Sequence, residues 1–125
     1  MSINGRNKGA NFERDIAKKL HLELGLYFKR NLDQYQAKGQ DDLRCEDASF
    51  KFSLELKRYA SGAFQKSWWQ QAKSQSGDKW PCVIYKFDRK PITARLPLAF
   101  FMDDPHDQTV DVNFETFIYI VRETI

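Results

Sequence analysis

FKFSLELKRY, residues 50–59, decides how the rest of the chain is read. Phe50, Phe52, Leu54 and Leu56 alternate with Ser53, Glu55 and Lys57, the period of two that belongs to a strand with one apolar face. On its other face the strand sets a carboxylate and an ammonium two residues apart. From the strand alone two readings stand. Glu55 and Lys57 are surface charges on a half-exposed strand, or they are a working pair over a reacting group.

The flanking segments supply the frame. Residues 42–46 fit another strand, joined to 50–57 by a polar turn at Asp47 to Ser49, so the two form a hairpin. Residues 63–76 read as a helix with Phe64, Trp68 and Ala72 inward, Gln71 and Gln75 at the edge, and Gly77 and Asp78 closing it. CVIYKF, 82–87, is the apolar run of a buried central strand. Residues 95–102 read as a further strand, with Pro97 placing it at an edge or a bend. Residues 103–109 read as a loop, 110–112 as a candidate last short strand outside the main order, and 113–123 as a terminal helix. That helix turns Phe114, Phe117, Ile118 and Val121 inward. Towards the N-terminus, 8–24 reads as a helix ended by Gly25, 26–32 as a strand and 33–41 as a Gly-containing loop. The order α-β-β-β-α-β-β-α predicts an α/β fold with a mixed central sheet flanked by helices, in one domain over residues 1–125.

The first helix carries an anomaly. Phe12, Ile16, Leu20, Leu24, Ala17 and Ala10 share an arc of about 160°. Glu13 falls inside it, whereas Arg14, Lys18 and His21 do not. A carboxylate in a buried stripe is costly unless it has a partner.

Bulk properties narrow the class. Apolar residues are 42% of the 125, so the composition is that of a folded chain. No segment approaches the roughly 20 apolar residues of a membrane span, and MSINGRNKGA has no apolar core of a leader. Cys45 and Cys82 lack metal-site spacing and read as buried thiols rather than a disulfide. A cytoplasmic protein without membrane association is expected. The net charge of +3 is uneven: residues 1–40 carry +4, 41–50 carry −3, 51–97 carry +7 and 98–125 carry −5. Basic segments suit a polyanion such as nucleic acid, and an acidic island between them suits a bound cation. His21 and His106 have no metal-ligand spacing and receive no role.

Glu13, Asp42, Glu55 and Lys57 form a chemically coherent set. If the hairpin holds, Asp42 and Glu55 converge at one end of it. Paired carboxylates with open positions suit Mg²⁺, a hard cation that takes oxygen ligands and keeps several waters. A lysine beside such an ion can orient an attacking water and stabilise charge on a phosphate oxygen. The set suits hydrolysis of a phosphodiester.

These residues also resemble a known family. Asp42, followed thirteen positions later by Glu55-Leu56-Lys57, is similar to the motif of the PD-(D/E)xK nucleases. The likeness extends to the archaeal-type Holliday junction resolvases over about residues 8–90. Lys8-Gly9 with Phe12-Glu13-Arg14 resembles their opening helix. Tyr27-Phe28-Lys29-Arg30 resembles their strand ending in arginine, and Val83-Ile84-Tyr85-Lys86 their apolar strand ending in lysine. Asp41 stands where the family has proline, so either Asp41 or Asp42 is the ligand, and Leu43 after Asp42 favours the latter. The chain beyond residue 90 has no clear match.

The resemblance implies a restriction-endonuclease-like core and a Mg²⁺-dependent endodeoxyribonuclease acting on branched or double-stranded DNA, with Mn²⁺ able to substitute. It implies a homodimer. It implies that Asp42, Glu55 and the Leu56 carbonyl bind the metal, that Glu13 reaches it through a water or a second ion, and that Lys57 positions the attacking water. It gives Gln71, with Gln70 as the alternative, a place beside the lysine. It gives Arg14, Arg30, Lys8 and Lys86 to DNA.

Each residue has a blander reading as well. Glu55 and Lys57 can be surface charges, Asp42 a turn residue, and Glu13 a carboxylate paired with an arginine. Trp68 reads as core. Trp69, about 100° off the inner helix face, is free to meet a partner subunit or DNA. Trp80 is a candidate for base stacking. Arg89 and Lys90 touch phosphates or are solvated. The competing functions are a restriction-like or repair nuclease, and a DNA-binding module of the same fold without catalysis.

Overall fold

A computed structural model of the chain describes residues 2–31 and 42–125. The elements are α1 (Ser2–Leu24), β1 (Phe28–Arg30), β2 (Leu43–Cys45), β3 (Phe52–Tyr59), α2 (Lys66–Gln75), β4 (Trp80–Phe87), β5 (Thr93–Pro97), β6 (Thr109–Asn113) and α3 (Phe114–Thr124). The strands lie in sequence order in one six-stranded sheet. β3 and β4 run parallel, with α2 as their crossover, and the other neighbours are antiparallel.

The alternation in FKFSLELKRY becomes two differently covered faces. Phe52, Leu54 and Leu56 pack on one side against Phe12, Ile16 and Leu20 of α1 and Phe117, Ile118 and Val121 of α3. The opposite face is covered by α2, whose Trp68, Trp69 and Ala72 pack with Val83 of β4. Tyr59 stacks on Trp68 at an interplanar angle of 6°. β3 is therefore not half-exposed. Its polar face lies under a helix.

The expected hairpin forms. β2 pairs with β3 at Leu43 and Leu54, and the turn closes through Asp47, whose Oδ1 accepts from the Ser49 N–H at 2.9 Å. Gly25 ends α1 with φ +73, its N–H donating to the His21 carbonyl at 2.8 Å. Asn113 caps α3, accepting from the Thr116 N–H at 2.8 Å. Cys45 and Cys82 are buried free thiols, and burial pushes the Cys82 thiol well up. Among the described residues no helix is long and apolar enough to cross a membrane.

Several boundaries differ from expectation. α1 starts at Ser2 rather than residue 8, because a polar helical extension leaves no apolar periodicity to detect. α2 starts at Lys66, since Gln65 is extended; Phe64 packs edge-on against Trp68 from outside the helix. Pro97 marks a bend rather than an edge: β5 ends there and turns into a 3₁₀ segment at Leu98–Phe100. The short strand at 110–112 is a full sixth strand that covers β5. Leu32 and the 33–41 loop, Asp41 included, lie outside the described residues.

Arg89 occupies the left-handed region at φ +62, in the turn closed by the Lys90 N–H on the Phe87 carbonyl. An L residue with a Cβ pays for that conformation, so Arg89→Gly is expected to raise the unfolding free energy by about 1 kcal/mol in a denaturant titration.

Candidate active site

β3 is the platform. Glu55 lies opposite Val83 and Lys57 opposite Tyr85 in the parallel register, so both look towards α2. Glu55 is 2% exposed. Its Oε2 lies 3.2 Å from the Lys57 Nζ, and that Nζ donates to Gln71 Oε1 at 3.1 Å. The crossover helix thus delivers Gln71 to the lysine. Gln70, the adjacent candidate, lines a different groove with Phe64, Trp69 and Arg95.

Asp42 is fixed from three directions. Its N–H donates to the Leu54 carbonyl, and its carbonyl accepts from the Asn31 N–H, both at 2.9 Å. Its Oδ2 accepts from the Leu56 N–H at 2.7 Å. The side chain is buried and hydrogen-bonds to Glu55. The two carboxyls expected at one end of the hairpin therefore meet there. Glu13 comes from the apolar face of α1 and accepts from Arg30 Nε on β1 at 2.8 Å, which answers the anomaly in the helix stripe.

Burial and mutual repulsion dominate the electrostatics. Desolvation, followed by the charge of Glu55, pushes the Asp42 carboxyl up to about 8; Glu13 adds to the rise, while the Leu56 N–H and Lys57 oppose it. Burial also raises Glu55, with Lys57 pulling the other way. Burial and the nearness of two carboxyls thus favour a proton shared by the Asp42–Glu55 pair, and the Lys57 ammonium is the cation that opposes it.

The donor set fits a hard divalent ion. It holds two buried carboxyls, Asp42 and Glu55, that share a hydrogen bond. Among the described residues no group of three or more His, Cys, Asp or Glu side chains is arranged to hold a metal.

The remaining predicted residues lie nearby but outside this cluster. Arg14 is exposed and donates to Asn11 at 3.2 Å. Lys8 and Lys86 line a groove of about 480 Å³ beside α1. Arg89 and Lys90 are exposed in the turn that follows β4. Trp69 is buried rather than available to a partner, and its Nε1 has no hydrogen-bond acceptor. On a ten-residue helix its indole reaches round to the sheet. Trp80 is partly exposed and meets Phe100 edge-on. Arg58 was missed by sequence reasoning. It falls on the apolar face of β3 by alternation, yet it sits in the Lys8–Lys86 groove where that face runs out from under α1. A cation directly after the E-x-K run was the available signal.

Residues 4–124 match a family described as "Phage putative PDDEXK endonuclease". No curated protein matches the chain. Among solved structures it is similar to Archaeoglobus fulgidus Hjc, a Holliday junction resolvase from an archaeal hyperthermophile. The TM-score is 0.58 at 13% identity, over 92% of this chain and 99% of that one. At that identity the likeness is one of fold, and it bears out the restriction-endonuclease-like core expected from the strand and helix order.

Proposed function

We propose, from the premise that this chain belongs to the phage PDDEXK endonuclease family, that it is a Mg²⁺-dependent endodeoxyribonuclease selective for branched DNA, four-way junctions first. The observation that carries the reading is the buried Asp42–Glu55 pair with Lys57 held beside it by Gln71. The fold it shares with a Holliday junction resolvase supports the junction preference. Activity in the cytoplasm, as a homodimer, completes the proposal. Two sites related by a twofold axis can cut two strands of a junction symmetrically.

In this reading Asp42, Glu55 and the Leu56 carbonyl hold Mg²⁺, and Mn²⁺ serves in its place. A divalent ion there supplies a more acidic water and a polarised phosphoryl group. Lys57 orients the attacking water and meets charge on the phosphate oxygen. Gln71 holds the Lys57 ammonium where it can do so. Glu13 positions Arg30, whose remaining N–H groups would be open to a phosphate, and would reach a bound ion through a water or a second metal. Arg14, Lys8 and Lys86 hold the backbone further out.

Labelled four-way junctions, flaps and linear duplexes incubated with Mg²⁺ test this. Paired symmetric cuts in the junction, with the linear duplex largely intact, are expected. Equal cutting of the duplex would instead favour a restriction-like or repair enzyme. Salt-sensitive binding without cutting would favour a non-catalytic module.

Two further outcomes follow from the geometry. Gln71→Ala removes one of the two partners that hold the Lys57 ammonium, leaving Glu55, and is expected to lower kcat by about tenfold, with little change in DNA affinity, in single-turnover cleavage. Because burial favours a proton on the carboxyl pair, metal binding displaces it. Calorimetry of Mg²⁺ or Mn²⁺ binding at neutral pH, in buffers of different ionisation enthalpy, is expected to show release of about one proton.

A further inference from the structure

Arg58 and Lys86 face one another in the parallel register of β3 and β4, and Lys8 reaches the same groove from α1. Asn11, Phe12 and Asp15 form the α1 wall, one turn of helix that also carries Glu13 towards Arg30. The groove therefore adjoins the carboxylate cluster. Asp15 leans to Lys19, 4.0 Å away. A different acid engages the groove's cations. Asp88, in the turn after β4, places Oδ1 at 2.7 Å from Arg58 Nη2 and 3.3 Å from Lys8 Nζ.

The exposures are unequal. The Arg58 side chain is 16% exposed, while that of Asp88 is 45% exposed. The guanidinium is built into the groove and the carboxylate lies at its mouth. Arg58 is anchored separately, donating from Nη1 to the Tyr59 carbonyl at 2.7 Å. A guanidinium set at the bottom of a groove presents a planar fork suited to an oxyanion, and phosphate is the oxyanion that a nuclease meets. A solvated carboxylate contributes little net energy to such a pair, so it can leave at low cost. Its turn is ready to move charge in its place: Arg89 and Lys90 follow directly and are exposed.

We propose that Asp88 is an internal stand-in for a DNA phosphate: its carboxylate holds the Arg58–Lys8 cation pair in the free protein and gives it up when a backbone phosphate enters the groove. Arg58 is then a DNA-positioning residue, and Asp88 sets a threshold that weak, nonspecific contact with DNA does not cross. The proposal rests on the DNA-nuclease reading above.

The test is fluorescence anisotropy with labelled duplex and four-way junction DNA, in EDTA so that nothing is cut, between about 50 and 200 mM salt. Asp88→Asn is expected to tighten binding roughly threefold at the low-salt end and to steepen the log–log salt slope by up to about 1. Arg58→Gln is expected to weaken binding and flatten the slope by about 1. In the Arg58→Gln background, Asp88→Asn loses most of its effect. Asp103→Asn removes the same charge from an exposed site elsewhere and is expected to change little.

The proposal is overturned if Asp88→Asn binds no tighter than the parent, if Asp103→Asn matches its gain, or if the gain survives undiminished without Arg58. Should Asp88→Asn not fold, Asp88→Ser carries the same expectation. Failure of the DNA reading itself looks different: neither the parent nor any variant would then bind either DNA in a salt-dependent way.

Discussion

Glu55→Gln is expected to remove DNA cleavage by on the order of 10³-fold or more, with the fold intact. Glutamine keeps the size of a side chain that is 2% exposed, so β3 and α2 stay packed. What is lost is a negative charge from the pair proposed to hold the metal and the partner 3.2 Å from Lys57. Asp42→Asn acts on the same pair, its amide oxygen still able to accept from the Leu56 N–H. Initial rates on a labelled junction, beside circular dichroism spectra, read both effects. DNA binding in EDTA is expected to persist in both variants, since each removes an acid and no cation. Undiminished cleavage by Glu55→Gln would sink the assignment of the site.

The second large effect is on stability without metal. Burial and the Glu55 charge raise Asp42 in the folded protein to about 8, from 3.8. A raised folded-state pKa means that the native state binds the extra proton more tightly than the unfolded chain does. The stability that Asp42 contributes is therefore full below about pH 4, falls as pH rises, and is gone above about pH 8. The melting temperature of the metal-free protein is expected to drop between pH 5 and pH 8. Asp42→Asn, which does not titrate, is expected to flatten that fall and to exceed the parent in stability at pH 8. Mg²⁺ is expected to stabilise the parent more at pH 8 than at pH 5, because at the higher pH it replaces a proton already leaving. A metal-free parent whose melting temperature is the same at both pH values would contradict the buried pair.

Much of this site was legible before any coordinates, for a definite reason. Period-two alternation in residues 50–57 separates the faces of β3, and the Glu55–Lys57 face must then lie under whichever helix follows. Asp42 was legible through the hairpin. Glu13 was legible as an acid in an apolar stripe, although the sequence left open whether it served a metal or an arginine; its partner in the structure is Arg30 at 2.8 Å. Other features depend on distances that periodicity does not carry. Gln70 and Gln71 are adjacent on a helix edge, and only the packing of α2 sends one of them to Lys57. Arg58 looked like the next inward residue of β3 because alternation cannot show where an element stops being covered. Trp69 looked free because a helical wheel treats an indole as a point.

The parallel pairing of β3 with β4 also bears on timing. Such a pair cannot zip up from a tight turn; it must wait until the intervening helix has been made and folded back. Beneath β3, Phe52 rests edge-on against Phe117, which is supplied by the last element of the chain. A polypeptide made only as far as β3 therefore has its E-x-K run and α1 beneath it, but not the helix that completes that layer. The platform under Glu55 and Lys57 is complete only once α3 has packed beneath it.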